Sequence, residues 1–190
     1  WADIFNKYII ICLFSTVWLG ITGFMDDYLK QVKKRSKGLN AMAKLASQAV
    51  LGLILGTFLL LDSGHNLKLD IPFLKDFSLN LDGLYIVFVM LVIAASSNAV
   101  NLTDGLDGLA IGIVVMVALA LSVLSYVSGN LNFSNYLLIP YIKGSGELTV
   151  FCASILGAGL GFLWFNCHPA SIFMGDVGSL ALGGALGTVA

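Results

Sequence analysis

The sequence predicts an all-α, polytopic transmembrane helix bundle, and three observations carry that prediction. The 190-residue chain is 58% hydrophobic and only 11% charged, with a mean hydropathy of +0.92. A soluble domain is usually about 45–50% apolar and about 25% charged. The apolar residues gather into runs long enough to cross hydrocarbon, which takes roughly 20 residues with a range of about 17–25. The acidic residues gather at the ends of those runs. A soluble helical bundle would instead need polar stripes at helical spacing, and the run from Ile111 to Val127 is apolar all round.

Taken in order, the predicted spans are 7–25, 45–61, 83–100, 108–127, 148–165 and 180–190, about six in all, the last cut short by the end of the chain. Loop 26–44 holds Lys30, Lys33, Lys34, Arg35, Lys37 and Lys44, six of the ten Lys and Arg residues. The positive-inside rule places such a loop in the cytoplasm. Alternation then puts 62–82 and 128–147 outside, and 101–107 and 166–179 inside. Loop 63–82 alternates apolar and polar residues over Leu67–Ile71 and Phe77–Leu81. That pattern predicts a small extracytoplasmic β-hairpin. Gly52, Gly56, Thr57, Gly157, Gly159 and Gly161 within the spans predict close helix packing in lipid. The chain begins at Trp1 and stops at Ala190 within an apolar run, so residues 1–190 are read as a single transmembrane domain truncated at both ends. Cys12 and Cys152 lie in spans and Cys167 at an inner edge, and no spacing suggests a disulfide or a zinc site.

Four polar clusters stand where apolar runs begin or end, and on this topology all share the cytoplasmic side. Charged groups at the edge of hydrocarbon are costly and mark function by default. The first is Asp26-Asp27, followed by Lys30. Adjacent helical residues point about 100° apart, so the two carboxylates do not share a face. One is expected at a metal or substrate while the other pairs with Lys30; a solvated helix end is the plainer explanation. The second is Asn101-Leu-Thr-Asp104-Gly-Leu-Asp107-Gly. Asp104 and Asp107 share a face if the segment is helical, and Gly105 and Gly108 allow close backbone approach. A helix N-cap at Asp104 would account for one acid but not both. The third and fourth, Asn166-Cys-His168-Pro-Ala and Phe173-Met-Gly-Asp176-Val-Gly178-Ser179, form a loop between two helix ends, because Pro169 blocks continuation of the preceding helix. His168 equally serves to hold the turn.

Asp and Asn clusters without paired His or Cys suit Mg²⁺, which binds through one or two carboxylates plus substrate phosphates. With basic side chains beside it at a membrane edge, such a site suits transfer between a soluble phosphate compound and a lipid phosphate.

These elements, Asp26-Asp27-Tyr-Leu-Lys30, the run 101–110 and Asn166-x-His-Pro-Ala-x-x-Phe-Met-Gly-Asp176-x-Gly-Ser-Leu-Ala, resemble the polyprenyl-phosphate N-acetyl-hexosamine-1-phosphate transferases. The resemblance runs through essentially the whole chain in the same order. It implies a bundle of about ten helices, of which this chain holds about six, with a site in the cytoplasmic cleft of a bacterial plasma (inner) membrane protein. The nearest pattern is that of members acting on UDP-MurNAc-pentapeptide and undecaprenyl phosphate, with Mg²⁺, to give lipid I and UMP in peptidoglycan synthesis, and so in cell-wall biogenesis, cell shape and division. Membrane lipid and a homodimer partner are implied; no nucleic-acid partner is expected. By resemblance, Asp176 is a magnesium ligand and Asp26 acts on the lipid phosphate with Asp27 beside it. Asp104 and Asn166 line the nucleotide and metal site, Asp104 as a second metal ligand. Leu102, Gly105, Asp107 and Phe173 form the uridine pocket. Lys30 and Lys44 lie near the phosphates, and Asn101 and His168 join the substrate contacts. The family's His-rich cytoplasmic loop falls beyond residue 190. Direct attack by the lipid phosphate is expected, because a phosphate monoester with a second pKa of roughly 6 is already a nucleophile. Two alternatives stay open: a sister enzyme using UDP-N-acetylglucosamine, and an ion-coupled transporter. The second fits less well, since transporters place their acids near the bilayer midplane.

Overall fold

The computed structural model of the chain describes residues 2–34, 38–62, 67–70 and 78–190. Within them the order is α1 (Lys7–Gln31), α2 (Ala41–Leu61), β1 (Lys68–Asp70), β2 (Ser78–Asn80), α3 (Leu84–Thr103), α4 (Leu109–Ser128), α5 (Leu131–Leu137), α6 (Glu147–Asn166) and α7 (Gly175–Val189). Five of these helices, α1 to α4 and α6, are long and apolar enough to cross a membrane. The predicted all-α polytopic class holds. The hairpin is present too: β1 and β2 pair antiparallel, with Leu69 opposite Leu79. Ile71 and Phe77 of the predicted strands, and Arg35 and Lys37 of the basic loop, lie outside the described residues.

Four helices outrun their predicted spans by three residues or more: α3 runs on to Thr103, and α7 begins at Gly175, so Asp176 lies in its first turn and not in a loop; α1 and α2 extend as well. α1 continues to Gln31 because Leu29 and Lys30 are good helix formers and no Gly or Pro interrupts the run 24–31. Asp26, Asp27 and Lys30 are therefore helical. α2 begins at Ala41 behind Asn40, which places Lys44 in its first turn. α5 was not anticipated within 128–147. It is a seven-residue helix whose N-cap, Asn130, accepts hydrogen bonds from the backbone N–H groups of Asn132 and Phe133; so short a helix has too few turns to show a periodic pattern.

α7 is the hub. It packs most extensively on α1 and α3 and more lightly on α4, while α2 rests on α3 and α6 on α4. One core cluster joins Ile11 and Leu19 of α1, Leu51 and Leu55 of α2, Ile93 of α3 and Leu180 of α7. A second joins Val100, Ile111, Val114, Val115, Ala118 and Leu186. Side chains such as Val17, Ile21 and Phe24 on α1, and Met116, Leu119 and Val123 on α4, face outward. Outward apolar faces on helices of this length suit lipid contact.

The small residues in the spans divide. Gly52 and Gly56 let Met90 and Ile86 of α3 come against the α2 backbone, and Gly159 does the same for Val115, but Gly157 and Gly161 face open space. Thr57 bonds back to the carbonyl of Leu53 in its own helix. At the end of the bundle remote from the acids, Asn6 donates to the carbonyl of Gly144 at 3.0 Å, and Lys7 pairs with Asp62.

Candidate active site

All four polar clusters meet at the other end of the bundle. Asp26 is fully buried on α1. One turn on, Lys30 contacts it at 2.5 Å, as i,i+4 spacing on a helix dictates. Lys44, from the first turn of α2, reaches the same Asp26 oxygen at 3.0 Å. Both ammonium groups also contact Asp176, Lys30 at 3.0 Å and Lys44 at 2.6 Å. Asn101, in the last turn of α3, donates to Asp176 at 2.9 Å and to Ser179 at 2.9 Å. α1, α2, α3 and α7 thus converge on one carboxylate.

Asp27 turns away from Lys30. It accepts from the backbone N–H of Val177 at 3.1 Å, one of the unpaired donors in the first turn of α7. Two glycines make this approach feasible. A Cβ on Gly23 would lie 2.2 Å from the carbonyl oxygen of Asp176, so α1 and α7 touch there backbone to backbone. Gly175 adopts φ +68°, and a Cβ there would sit 2.9 Å from the Asp27 carboxylate.

Asp104 and Asp107 do not share a helical face. Asp104 is the C-cap of α3 rather than an N-cap, and residues 104–108 turn before α4 starts behind Gly108 at φ +74°. Asp104 faces the cluster. Burial, and then the negative charge of Asp176 and Asp27, push its pKa above the usual carboxylate range against a hydrogen bond from the Gly175 backbone. Asp107 faces the 166–173 loop instead. It accepts from the N–H of Ala170 at 3.1 Å and lies 3.1 Å from Nδ1 of His168. The Ala170 bond, and then His168, hold its pKa below the ordinary value. Asn166 caps the turn from below, accepting from the N–H of Gly108 at 3.1 Å and donating to the carbonyl of Ile172 at 2.7 Å.

Of the residues assigned to uridine, Leu102, Asp107 and Phe173 are exposed at this end, and Gly105 has open space where a side chain would stand. Phe173 also borders an apolar groove of about 590 Å³ between α4, α6 and α7. His168 is exposed and tied to Asp107, so holding the turn is one thing it does.

The acids that come together are Asp26, Asp27 and Asp176, each with a carboxylate oxygen within 4.8 Å of the others. Their separation on α1 did not prevent this, because side-chain reach and α7 bring both oxygens to one place. Asp104 borders this group without belonging to it. An all-oxygen donor set suits Mg²⁺. Three carboxylates against two ammonium groups leave one negative charge, and a divalent cation would turn that into a positive site for phosphate. The donors therefore fit the ion.

Sequence reasoning missed Gln48, just beneath the site. Asn98 donates to the side-chain oxygen of Gln48 at 2.8 Å. The available signal was a fully polar amide inside an apolar span, four residues after Lys44.

Comparison with known proteins gives the chain a family. Residues 9–190 match the family model described as glycosyl transferase family 4. The chain is 53% identical over 190 residues to the phospho-N-acetylmuramoyl-pentapeptide-transferase of Pelobacter propionicus, covering all of this chain and 53% of that protein. It is 52% identical over 190 residues to the protein of the same name from Desulfotalea psychrophila, again covering 53% of it. The chain spans about half the length of these curated relatives. A full-length family match, carried by a membrane bundle that gathers its acids at one end, shows that this chain belongs to glycosyl transferase family 4.

Proposed function

We propose that this chain is the core of a multi-pass membrane transferase that moves phospho-N-acetylmuramoyl-pentapeptide from UDP-MurNAc-pentapeptide to undecaprenyl phosphate, giving lipid I and UMP. The observation that carries the reading is the convergence of Lys30 and Lys44 on Asp26 and Asp176 at one end of the bundle, in a chain half-identical to proteins of that name. In the proposed reaction an oxygen of the lipid phosphate attacks the sugar-bearing phosphorus of the UDP-sugar. The new P–O bond forms as the bond to the UMP oxygen breaks.

Each residue group has a task in that step. Lys30, the more exposed of the two lysines at 38% against 17% for Lys44, is the first to meet an incoming phosphate. Lys44 holds Asp26 and Asp176 together until phosphate competes for it. Mg²⁺ at Asp176, with Asp26, Asp27 or Asp104 beside it, would supply neutralisation of the pyrophosphate charge. Asp26 is fully buried and already holds both lysines, so lipid phosphate reaches it only by taking over a lysine contact. Positioning and charge neutralisation then suffice without a covalent enzyme intermediate.

The test is UMP release by the full-length protein in detergent, with polyprenyl phosphate and Mg²⁺, from UDP-MurNAc-pentapeptide and separately from UDP-N-acetylglucosamine. Release from the first donor alone supports the reading. Release from the second alone would replace it with the sister enzyme.

The basic segment that leads from α1 to α2 supports a cytoplasmic face for the site. With Cys12, Cys152 and Cys167 replaced, single cysteines at Thr103 and Ser171 should label only from the cytoplasm, and one at Asn132 only from outside. Labelling of Thr103 from outside would reverse the orientation.

Asp107 binds loop to loop, so Asp107→Ala should act on donor binding. The expected result is a severalfold rise in donor KM with lipid KM nearly unchanged, the pattern of lost ground-state binding. Phe173→Ala should do the same if uracil stacks on the ring, at about 1–3 kcal/mol. Equal changes in both KM values with a large drop in melting temperature would assign Phe173 to packing.

A further inference from the structure

Gln48 is fully buried in α2, one helical turn and so about 6 Å deeper in the bundle than Lys44. Its orientation follows from its neighbour. Asn98 donates through Nδ2 to the Ala94 carbonyl of its own helix at 2.8 Å, so that atom is the nitrogen. The Gln48 atom facing Nδ2 at 2.8 Å must then be the acceptor oxygen. That leaves the Gln48 nitrogen as a buried side-chain donor with no partner among the described residues. A residue chosen for packing alone would not carry such a cost.

The geometry around the pair shows what it does. Gln48 and Lys44 are i,i+4 on α2, and Asn98 and Asn101 are i,i+3 on α3, so each pair shares a helix face. Lys44 and Asn101 are also two of the groups that meet on Asp176. The Gln48–Asn98 bond therefore ties α2 to α3 directly below the point where their next polar residues converge. The adjacent Ser47 ties α2 to α1, accepting from the Trp18 ring nitrogen at 3.1 Å and hydrogen-bonding the Thr22 hydroxyl at 2.7 Å. The first turn of α2, which carries Lys44, is thus held from both sides.

We propose that Gln48 is a positioning residue for phosphate transfer, setting Lys44 and Asn101 on Asp176 through its hydrogen bond to Asn98. This rests on the transferase reading above. The test uses full-length Gln48→Met, Asn98→Ala and the double variant, with kcat, donor KM, melting temperature and the acylation rate of Lys44 read by mass spectrometry. Each single variant should lower kcat about tenfold or more with donor KM within about threefold, and the double variant should be no slower than the slower single, because both remove one bond. Lys44, only 17% exposed in its ion pairs, should acylate severalfold faster in each. The swapped pair Gln48→Asn with Asn98→Gln keeps both amides and should recover most of the kcat. Unchanged kcat and Lys44 acylation in the single variants, even with lowered melting, would overturn the proposal, as would a folded swap as slow as Gln48→Met. Should the wild-type protein release no UMP from either donor, the transferase reading fails, and Lys44 acylation still decides the positioning claim.

Discussion

Replacing Asp176 by Asn is expected to cut kcat by about a hundredfold or more, about 2.7 kcal/mol of lost transition-state stabilisation. The carboxylate takes both lysines and Asn101 at once. Asn is close to Asp in shape but neutral, so it gives up charge at a group shared by four helices. Lys30 and Lys44 would be left with Asp26 alone. Any divalent ion would lose a charged ligand from the group formed with Asp26 and Asp27. The outward helix faces and the apolar core clusters are untouched, so helical content by circular dichroism should match the wild type. Near-normal UMP release from Asp176→Asn would remove Asp176 from the list of essential groups.

Gly23→Leu should disable the site through packing rather than chemistry. The first added carbon would meet the Asp176 carbonyl oxygen at 2.2 Å and the Val177 Cα at 2.7 Å. Both are backbone atoms and cannot rotate away, so α1 and α7 must separate. Overpacking costs about 1–3 kcal/mol and sometimes more, and a backbone clash between the two most closely packed helices belongs at the upper end. A fall in melting temperature of about 5 °C or more is expected. Activity should fall further than stability, because separating α1 from α7 pulls Asp26 and Lys30 from Asp176. Gly157→Ala is the matched control: nothing lies within 4 Å of its added carbon, and Ala is the better helix former by about 1 kcal/mol. Wild-type melting and turnover in Gly23→Leu would show that the two helices are not in contact at this point.

What the sequence by itself determined is the frame. Hydrocarbon thickness sets the length of an apolar run and the cost of charge sets where it ends. Five crossing helices, the small hairpin and the polar residues at run ends were therefore legible one segment at a time. So were Asp176, Lys30, Lys44 and Asn101 as candidates for one site, because their motifs stand in the order of the family they resemble. What only the tertiary structure decided is which side chain meets which. That Asp26 rather than Asp27 takes Lys30 depends on how far α1 continues as helix. That Asp104 turns to the acids and Asp107 to His168 depends on where α3 stops and on the turn at Gly108. The role of Gly23 depends on the rotation of α1 against α7, and the bond between Gln48 and Asn98 on the register of α2 against α3. Such facts arise from the facing of two distant segments, set by small residues and interhelical hydrogen bonds, and neither segment read alone contains them.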